Sequence, residues 1–271
     1  MRTIVHLSDV HFGRVNEQVI APLIDAVNGL APNVVAVSGD LTQRARSHQF
    51  EEARAFLDQL PQPQIVVPGN HDVPLHNVPA RFFQPLEKYR RYITDDLQPF
   101  YQDDEIAVLG INTARSLTIK GGRVNQRQVH TIQDRFCSLD KNIVRIVVTH
   151  HPFDLPAGQS KRNLVGRARM AMEALASCGA DVFLAGHLHV SQTTHSASRY
   201  KIAGHSALVV QAGTATSSRG RGEANSFNVV RVDQSLITVE RFEWLEDRGE
   251  FSPVVLEQFN RTPAGWMRQS S

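Results

Sequence analysis

Five short apolar runs dominate the first two-thirds of the chain, and each ends in polar ligand chemistry. Thr3–Leu7 runs into S-D-V-H, Asn33–Val37 into S-G-D, and Gln64–Val67 into P-G-N-H-D. Ile143–Thr149 runs into H-H-P, and Asp181–Ala185 into G-H-L-H. Runs this short and this rich in Val and Ile suit strands buried on both faces, as in a parallel sheet. A further run, Ile106–Ile111, ends without such a block. In open α/β sheets, small-molecule sites gather at the carboxyl ends of the strands. The pattern therefore predicts one site, assembled from five separated strand ends.

Helical patterns fill the gaps: Glu17–Leu30, His48–Leu60, Ala80–Ile93, Gln126–Leu139 and Leu164–Cys178. Asn125 reads as an N-cap and Gly179 as a C-terminal stop. Beyond His189 the pattern turns into strands with short turns: Val190–Ile202, Ala207–Gln211, Ser226–Val232 and Leu236–Trp244. The expectation is an α/β body completed by a C-terminal antiparallel β meander. The tail from Ser252 reads as irregular and Thr214–Asn225 as a loop. No linker or internal repeat interrupts residues 1–271, which are expected to form a single domain.

Composition narrows the function classes. With 29 basic and 27 acidic residues, the net charge of +2 announces neither nucleic acid nor a membrane surface as partner. No apolar run approaches the roughly 18 residues of a membrane span, and no leader pattern precedes the first strand. Cys137 and Cys178 belong to no C-x-x-C pair and are expected as reduced thiols rather than a disulfide. Together these features read as a soluble cytoplasmic protein.

The strand ends hold the chemistry. Asp9 and His11 are two residues apart, so in an extended chain they leave one face together. Asp40, Asn70, His150, His187 and His189 stand at the other four ends. Turn chemistry accounts for Asp, Asn and Gly at such places, but not for repeated histidine. Glycines 39, 69 and 186 allow sharp turns or close backbone approach. Carboxylates, imidazoles and an amide without thiolate suit Mn, Fe, Zn or Co. Seven donors exceed one ion's needs and match two ions sharing a carboxylate, the arrangement used for in-line displacement at phosphorus.

In their order, D-V-H, G-D, G-N-H-D, H-H and G-H-L-H resemble the signature of the calcineurin-like metallophosphoesterase superfamily. The short chain and the H-x-S-D-x-H-F opening are most similar to bacterial class III cyclic-nucleotide phosphodiesterases and glycerophosphodiesterases. The resemblance implies a four-layer α/β/β/α sandwich with two divalent metal ions. It implies one ion on Asp9, His11, Asp40 and His189, and a second on Asp40, Asn70, His150 and His187, with Asp40 bridging. It favours His150 over His151 as the ligand of the H-H pair. It makes His71 a non-ligand residue that protonates the leaving oxygen or stabilises the transition state. Asp72 would orient a ligand imidazole or His71.

The function expected on this basis is hydrolysis of small phosphodiesters, foremost 3′,5′-cyclic nucleotides such as cyclic AMP, by a hydroxide bridging the metals. Alternatives are a phosphomonoesterase or nucleotide-lipid pyrophosphatase, a DNA nuclease, and a scaffold with a decayed site. The interval from Asp72 to His150 leaves little room for a lid over a macromolecule, which disfavours nucleic acid. Arg219 and Arg221 in the 214–225 loop are candidates for gripping substrate. His6 points away from Asp9 and reads as an internal, hydrogen-bonded group. The reading leaves room for a homodimer.

Overall fold

A computed structural model describes residues 1–118, 120–155, 160–195, 206–218 and 222–269. In chain order the first elements are β1 (Arg2–Leu7), α1 (Ile20–Gly29), β2 (Val34–Ser38), α2 (Ser47–Leu57) and β3 (Gln64–Val67). There follow α3 (Val78–Phe83), α4 (Glu87–Tyr92), β4 (Phe100–Gln102), β5 (Ile106–Ile111), α5 (Gln126–Phe136) and β6 (Val144–Thr149). The chain continues through α6 (Ala168–Ser177), β7 (Val182–Ala185), β8 (Gln192–His195) and β9 (Leu208–Gln211). It ends with β10 (Ser226–Val232), β11 (Leu236–Leu245), β12 (Glu250–Thr262) and β13 (Gly265–Arg268).

The strands form two sheets. One runs β13-β12-β11-β10-β1-β2-β3, the other β4-β5-β6-β7-β9-β8. β1, β2 and β3 are mutually parallel, as are β5, β6, β7 and β9. Alternation along each strand sorts its side chains between two cores. Ile4, Ala36, Val108, Ile146 and Leu184 meet between the sheets. Val5, Leu7, Val35 and Val37 face the other way and pack with Leu23, Val27 and Phe50 of α1 and α2. Val147 and Phe183 pack outward with Ile132, Phe136, Met172 and Leu175 of α5 and α6. Helix, sheet, sheet and helix are thus stacked in four layers. Wholly buried β2, β5, β6 and β7 are the physical basis of the unbroken apolar runs.

The caps are local chemistry. Asn125 accepts from the Gln128 amide, while Gln128 Oε1 accepts from the Asn125 amide, closing a capping box at α5. Gly179, at φ +72°, turns the chain out of α6, and the Ala180 amide donates to the Leu175 carbonyl.

Several expectations are corrected. The helix expected over Ala80–Ile93 is two short helices, α3 and α4. Pro85 lies between them, and a proline both lacks an amide proton and restricts the residue before it. The tail from Ser252 is not irregular: β12 and β13 extend the first sheet, and β12 pairs with β11 along almost its whole length. β8 and β9 do not join the meander. β9 lies parallel to β7 in the second sheet, and β8 pairs with β9. The meander is β10 to β13.

Cys137 and Cys178 are not separate thiols but a disulfide, with Cα atoms 4.4 Å apart. They cap the C-termini of α5 and α6, whose packing side by side brings them together. Disulfides are characteristic of oxidising compartments, so the cysteines no longer argue for a reducing one. No helix among the described residues is long and apolar enough to cross a membrane.

Candidate metal centre

The carboxyl ends of β1, β2 and β3 meet those of β6 and β7 at one edge of the two-sheet stack. Asp9 and His11 follow β1, Asp40 follows β2, and Asn70 and His71 follow β3. His150 follows β6, and His187 and His189 follow β7. All seven predicted ligand positions come to this edge, and the non-ligand His71 comes with them. Arg219 and Arg221, also predicted, lie outside the described residues.

The local backbone differs from the extended chain inferred for Asp9 and His11. Both have φ +53°, and Asp40, His187 and His189 have φ +52°, +73° and +57°. Left-handed backbone at a non-glycine residue costs on the order of 1–3 kcal/mol and persists where its surroundings over-determine it. Hydrogen bonds provide that here. The Asp9 amide donates to the Gly39 carbonyl, the His11 amide to the Asp40 carbonyl, and the His187 amide to Asp9 Oδ2 at 3.0 Å. Two successive left-handed corners, rather than a straight strand, bring Asp9 and His11 to one site.

Glycine is required where this packing is closest. A Cβ on Gly69 would fall on the Asp40 amide nitrogen and Oδ1, and 2.8 Å from its Cγ. A Cβ on Gly186 would fall on Ser8 Oγ, 2.7 Å from Asp9 Oδ2.

Each carboxylate has one oxygen bound by the protein and one turned to the imidazoles. Asp9 Oδ2 accepts from Ser8 Oγ at 2.6 Å and from the His187 amide. Asp9 Oδ1 is buried without a hydrogen-bond partner, 3.3 Å from His189 Nε2 and 3.6 Å from His11 Nε2. Asp40 Oδ1 accepts from the His71 amide at 2.8 Å. Asp40 Oδ2 lies between His11 Nε2 at 3.7 Å and His150 Nε2 at 3.5 Å.

His150 Nδ1 donates to the Ser38 carbonyl at 2.8 Å, which leaves Nε2 with its lone pair. That lone pair faces Asn70 Oδ1 at 3.1 Å. Two acceptors facing each other, beside a buried carboxylate oxygen without a donor, call for a cation between them. Asp9, His11 and His189 form one tight donor group. Asp9, Asp40 and His150 form a second, and His150, His151 and His187 a third. Oxygen and imidazole donors of this kind fit divalent ions.

His151 is otherwise engaged. Thr113 Oγ1 lies 2.8 Å from its Nδ1, and its Nε2 donates to the Lys120 carbonyl at 3.2 Å. Asp72 does not orient an imidazole as expected. Its carboxylate accepts from the amides of Leu41, Thr42 and Gly69, tying the loops after β2 and β3 together. His6, on the inter-sheet side, has Nε2 2.8 Å from Ser38 Oγ.

Protonation follows from this packing. Burial alone would raise both carboxyls. The histidines outweigh it, holding Asp9 well below the usual carboxylate range through His189 and His11, and Asp40 below it through His150 and His11. Burial and the neighbouring Asp40 push Asp72 up to about 6, against the pull of its backbone donors. Burial, reinforced by His150, pushes His187 down to about 3, and burial also holds His151 well below the ordinary range. The site thus offers anionic carboxylates and, at His187, a neutral imidazole, protonation states that suit a cation.

A cleft of about 210 Å³ opens over Asp40, Asn70, His71, His187 and His189. Its wall also includes Lys120 and Asn163, which the sequence reading missed. Neither follows an apolar run, so no strand-end signal marks them.

A model of the calcineurin-like phosphoesterases matches residues 2–191. The chain belongs to this family. It is therefore assigned to a family of phosphoesterases, which are hydrolases. A glycerophosphodiester phosphodiesterase, GpdQ, from Enterobacter lignolyticus (strain SCF1) is 34% identical over 80 residues, covering 26% of this chain and 29% of that relative. The match thus spans under a third of the curated relative's length.

Among solved structures, a dimetal phosphatase from Danio rerio superposes with a TM-score of 0.65 at 14% identity, over 94% of this chain and 98% of that one. The purple acid phosphatase PPD1 from yellow lupin (Lupinus luteus) gives 0.67 at 15%, over 93% of this chain and 52% of that one. At these identities the likeness is one of fold.

Proposed function

We propose that this phosphoesterase is a binuclear metal-dependent phosphodiesterase of small substrates, with 3′,5′-cyclic nucleotides such as cyclic AMP foremost. The reading rests on one observation above others: Asp40 Oδ2 lies between His11 Nε2 and His150 Nε2, at 3.7 and 3.5 Å, as a shared ligand would. Asp9, His11, Asp40 and His189 would hold one ion, and Asp40, Asn70, His150 and His187 the other. When bound, two such ions supply an acidic water and neutralise phosphoryl oxygens.

The chain's own residues supply the rest. The Ser38 carbonyl fixes the His150 tautomer, and Ser8 with the His187 amide fixes the Asp9 carboxylate. His71 is held by its backbone amide on Asp40 Oδ1 and by its ring Nδ1, 2.9 Å from the Gln43 carbonyl. With Nδ1–H donated there, Nε2 is the nitrogen that exchanges a proton with the leaving oxygen. The small cleft suits a compact diester.

A second substrate class, glycerophosphodiesters, is favoured by the 80-residue match to a glycerophosphodiesterase. The test is the protein reconstituted with Mn²⁺ and assayed in parallel on cyclic AMP, glycerophosphodiesters, bis(p-nitrophenyl) phosphate, p-nitrophenyl phosphate and single-stranded DNA. Turnover of the diesters well above the monoester is expected. Faster monoester turnover, or cleavage of DNA alone, would overturn the proposal.

A further inference from the structure

Lys120 reaches the cleft by a construction that local sequence does not suggest. The loop between β5 and α5 lies over His151, whose Nε2 donates to the Lys120 carbonyl at 3.2 Å. Gly122 packs against the same ring, where an added Cβ would stand 2.9 Å from the His151 Cβ. Farther back, the buried Arg81 holds the loop with Nε on the Ser116 carbonyl at 2.8 Å and Nη2 on the Thr118 carbonyl at 2.7 Å. On its other side the Gly166 amide donates to the Gly122 carbonyl at 2.7 Å, and the Val124 amide to the Gly166 carbonyl at 3.1 Å. These bonds join the loop to the segment that carries Asn163. Lys120 is therefore an exposed side chain on an anchored backbone, not on a loose tip.

Among the described residues that wall the cleft, Lys120 is the one with a fixed positive charge. The cleft of about 210 Å³ opens over Asp40, Asn70, His187 and His189, the side chains that would hold the metals, so a phosphoryl group bound to them would occupy it. A cation on that wall is within reach of the phosphoryl group itself. Hydrolysis of a diester breaks one P–O ester bond, adds a water oxygen to phosphorus and passes a proton to the leaving alkoxide. As the water oxygen, its proton passed on, bonds to phosphorus, the phosphoryl oxygens take up a second negative charge before the alkoxide leaves.

On the reading of a phosphodiesterase given above, we infer that Lys120 is a further catalytic residue, whose ammonium donates to a non-bridging phosphoryl oxygen and stabilises the second negative charge that develops there. Interactions stronger in the transition state than in the bound diester act on kcat rather than KM. The neutral Asn163 beside it makes no such distinction.

The test uses the Mn²⁺-loaded protein and two probes measured by calorimetry: inorganic phosphate at a pH where it is a dianion, and dimethyl phosphate, a monoanion. Lys120→Ala should weaken phosphate about fivefold, the range of a partly solvated charge-assisted hydrogen bond, and dimethyl phosphate less than twofold. Its kcat on bis(p-nitrophenyl) phosphate should fall with KM nearly unchanged, while manganese content stays at the wild-type value. Lys120→Arg should restore most of the phosphate affinity. Asn163→Ala should shift both affinities to the same extent.

Equal losses for both anions in Lys120→Ala, or no loss for phosphate, would overturn the inference. Failure of the wild type to hydrolyse any diester would remove the functional reading. The ratio of the two affinities would still decide whether Lys120 meets the second charge.

Discussion

Replacing Gly69 by alanine tests whether the centre is held by close backbone packing. The added Cβ would fall on the Asp40 amide nitrogen and Oδ1, and 2.8 Å from Cγ, against a comfortable separation of about 3.5–4.0 Å. The Gly69 loop cannot swing away freely, because its amide is bound to Asp72 Oδ2 at 2.9 Å. Asp72 is in turn fixed by the Leu41 and Thr42 amides. Asp40 must therefore move.

Overpacking of this kind costs about 1–3 kcal/mol, and contact with backbone atoms argues for the upper half of that range. At roughly 2–4 °C per kcal/mol, a loss on the order of 4–12 °C in Tm is expected. Displacing a reacting group by about 1 Å costs on the order of 10²-fold in rate, so kcat/KM on bis(p-nitrophenyl) phosphate should fall by about that factor. Gly29→Ala is the control. It sits at the end of α1 with nothing within 4 Å of an added Cβ, and there alanine gains up to about 1 kcal/mol as the better helix former. Urea unfolding, thermal melts and turnover are measured on both. Wild-type stability and turnover in Gly69→Ala would refute the packing argument.

His71→Ala should keep manganese near wild type while slowing turnover about 10²-fold, whereas Asp40→Ala should lose both ions; elemental analysis alongside kinetics separates the two. Burial holds His6 neutral down to about pH 3, while the unfolded chain protonates it near 6.5. Between those values the unfolded state binds more protons, so stability falls as pH falls, by up to roughly 1.4 kcal/mol per pH unit. His6→Asn should remove that share, and an unchanged acid limb in urea titrations would contradict it. Cys137 and Cys178 close a 41-residue separation, so the Cys137→Ser/Cys178→Ser double variant should lose up to about 4 kcal/mol in the chain-entropy picture. Turnover per folded molecule should stay constant, because the disulfide precedes β6 and β7 while the site follows them.

The strand ends were legible because burial on both faces leaves no alternation to confuse the reading. Polar residues then mark the point where each strand leaves the core. His150, His187 and His189 announce themselves in this way. The left-handed corners at Asp9 and His11 were not legible, since their hydrogen bonds to Gly39 and Asp40 join residues about thirty apart. β12 escaped notice because Glu257, Gln258, Asn260 and Arg261 make it polar, and it owes its place to pairing with β11. The role of Asp72 and the cleft position of Lys120 depend on contacts between separate loops. The cysteine pair depends on how two helices pack, which spacing alone does not disclose.

Asp9, His11, Asp40 and Asn70 belong to the sheet built on β1, whereas His150, His187 and His189 belong to its partner. Each proposed ion would therefore be a rivet through the seam between two otherwise greasy slabs. Loading would resist sliding and splaying of the slabs by mass action, and the conformational penalty stored in the corners would be repaid only on assembly. Metal supply would then govern how long the molecule survives as well as whether it turns over, and a chelator would loosen its architecture along one defined plane.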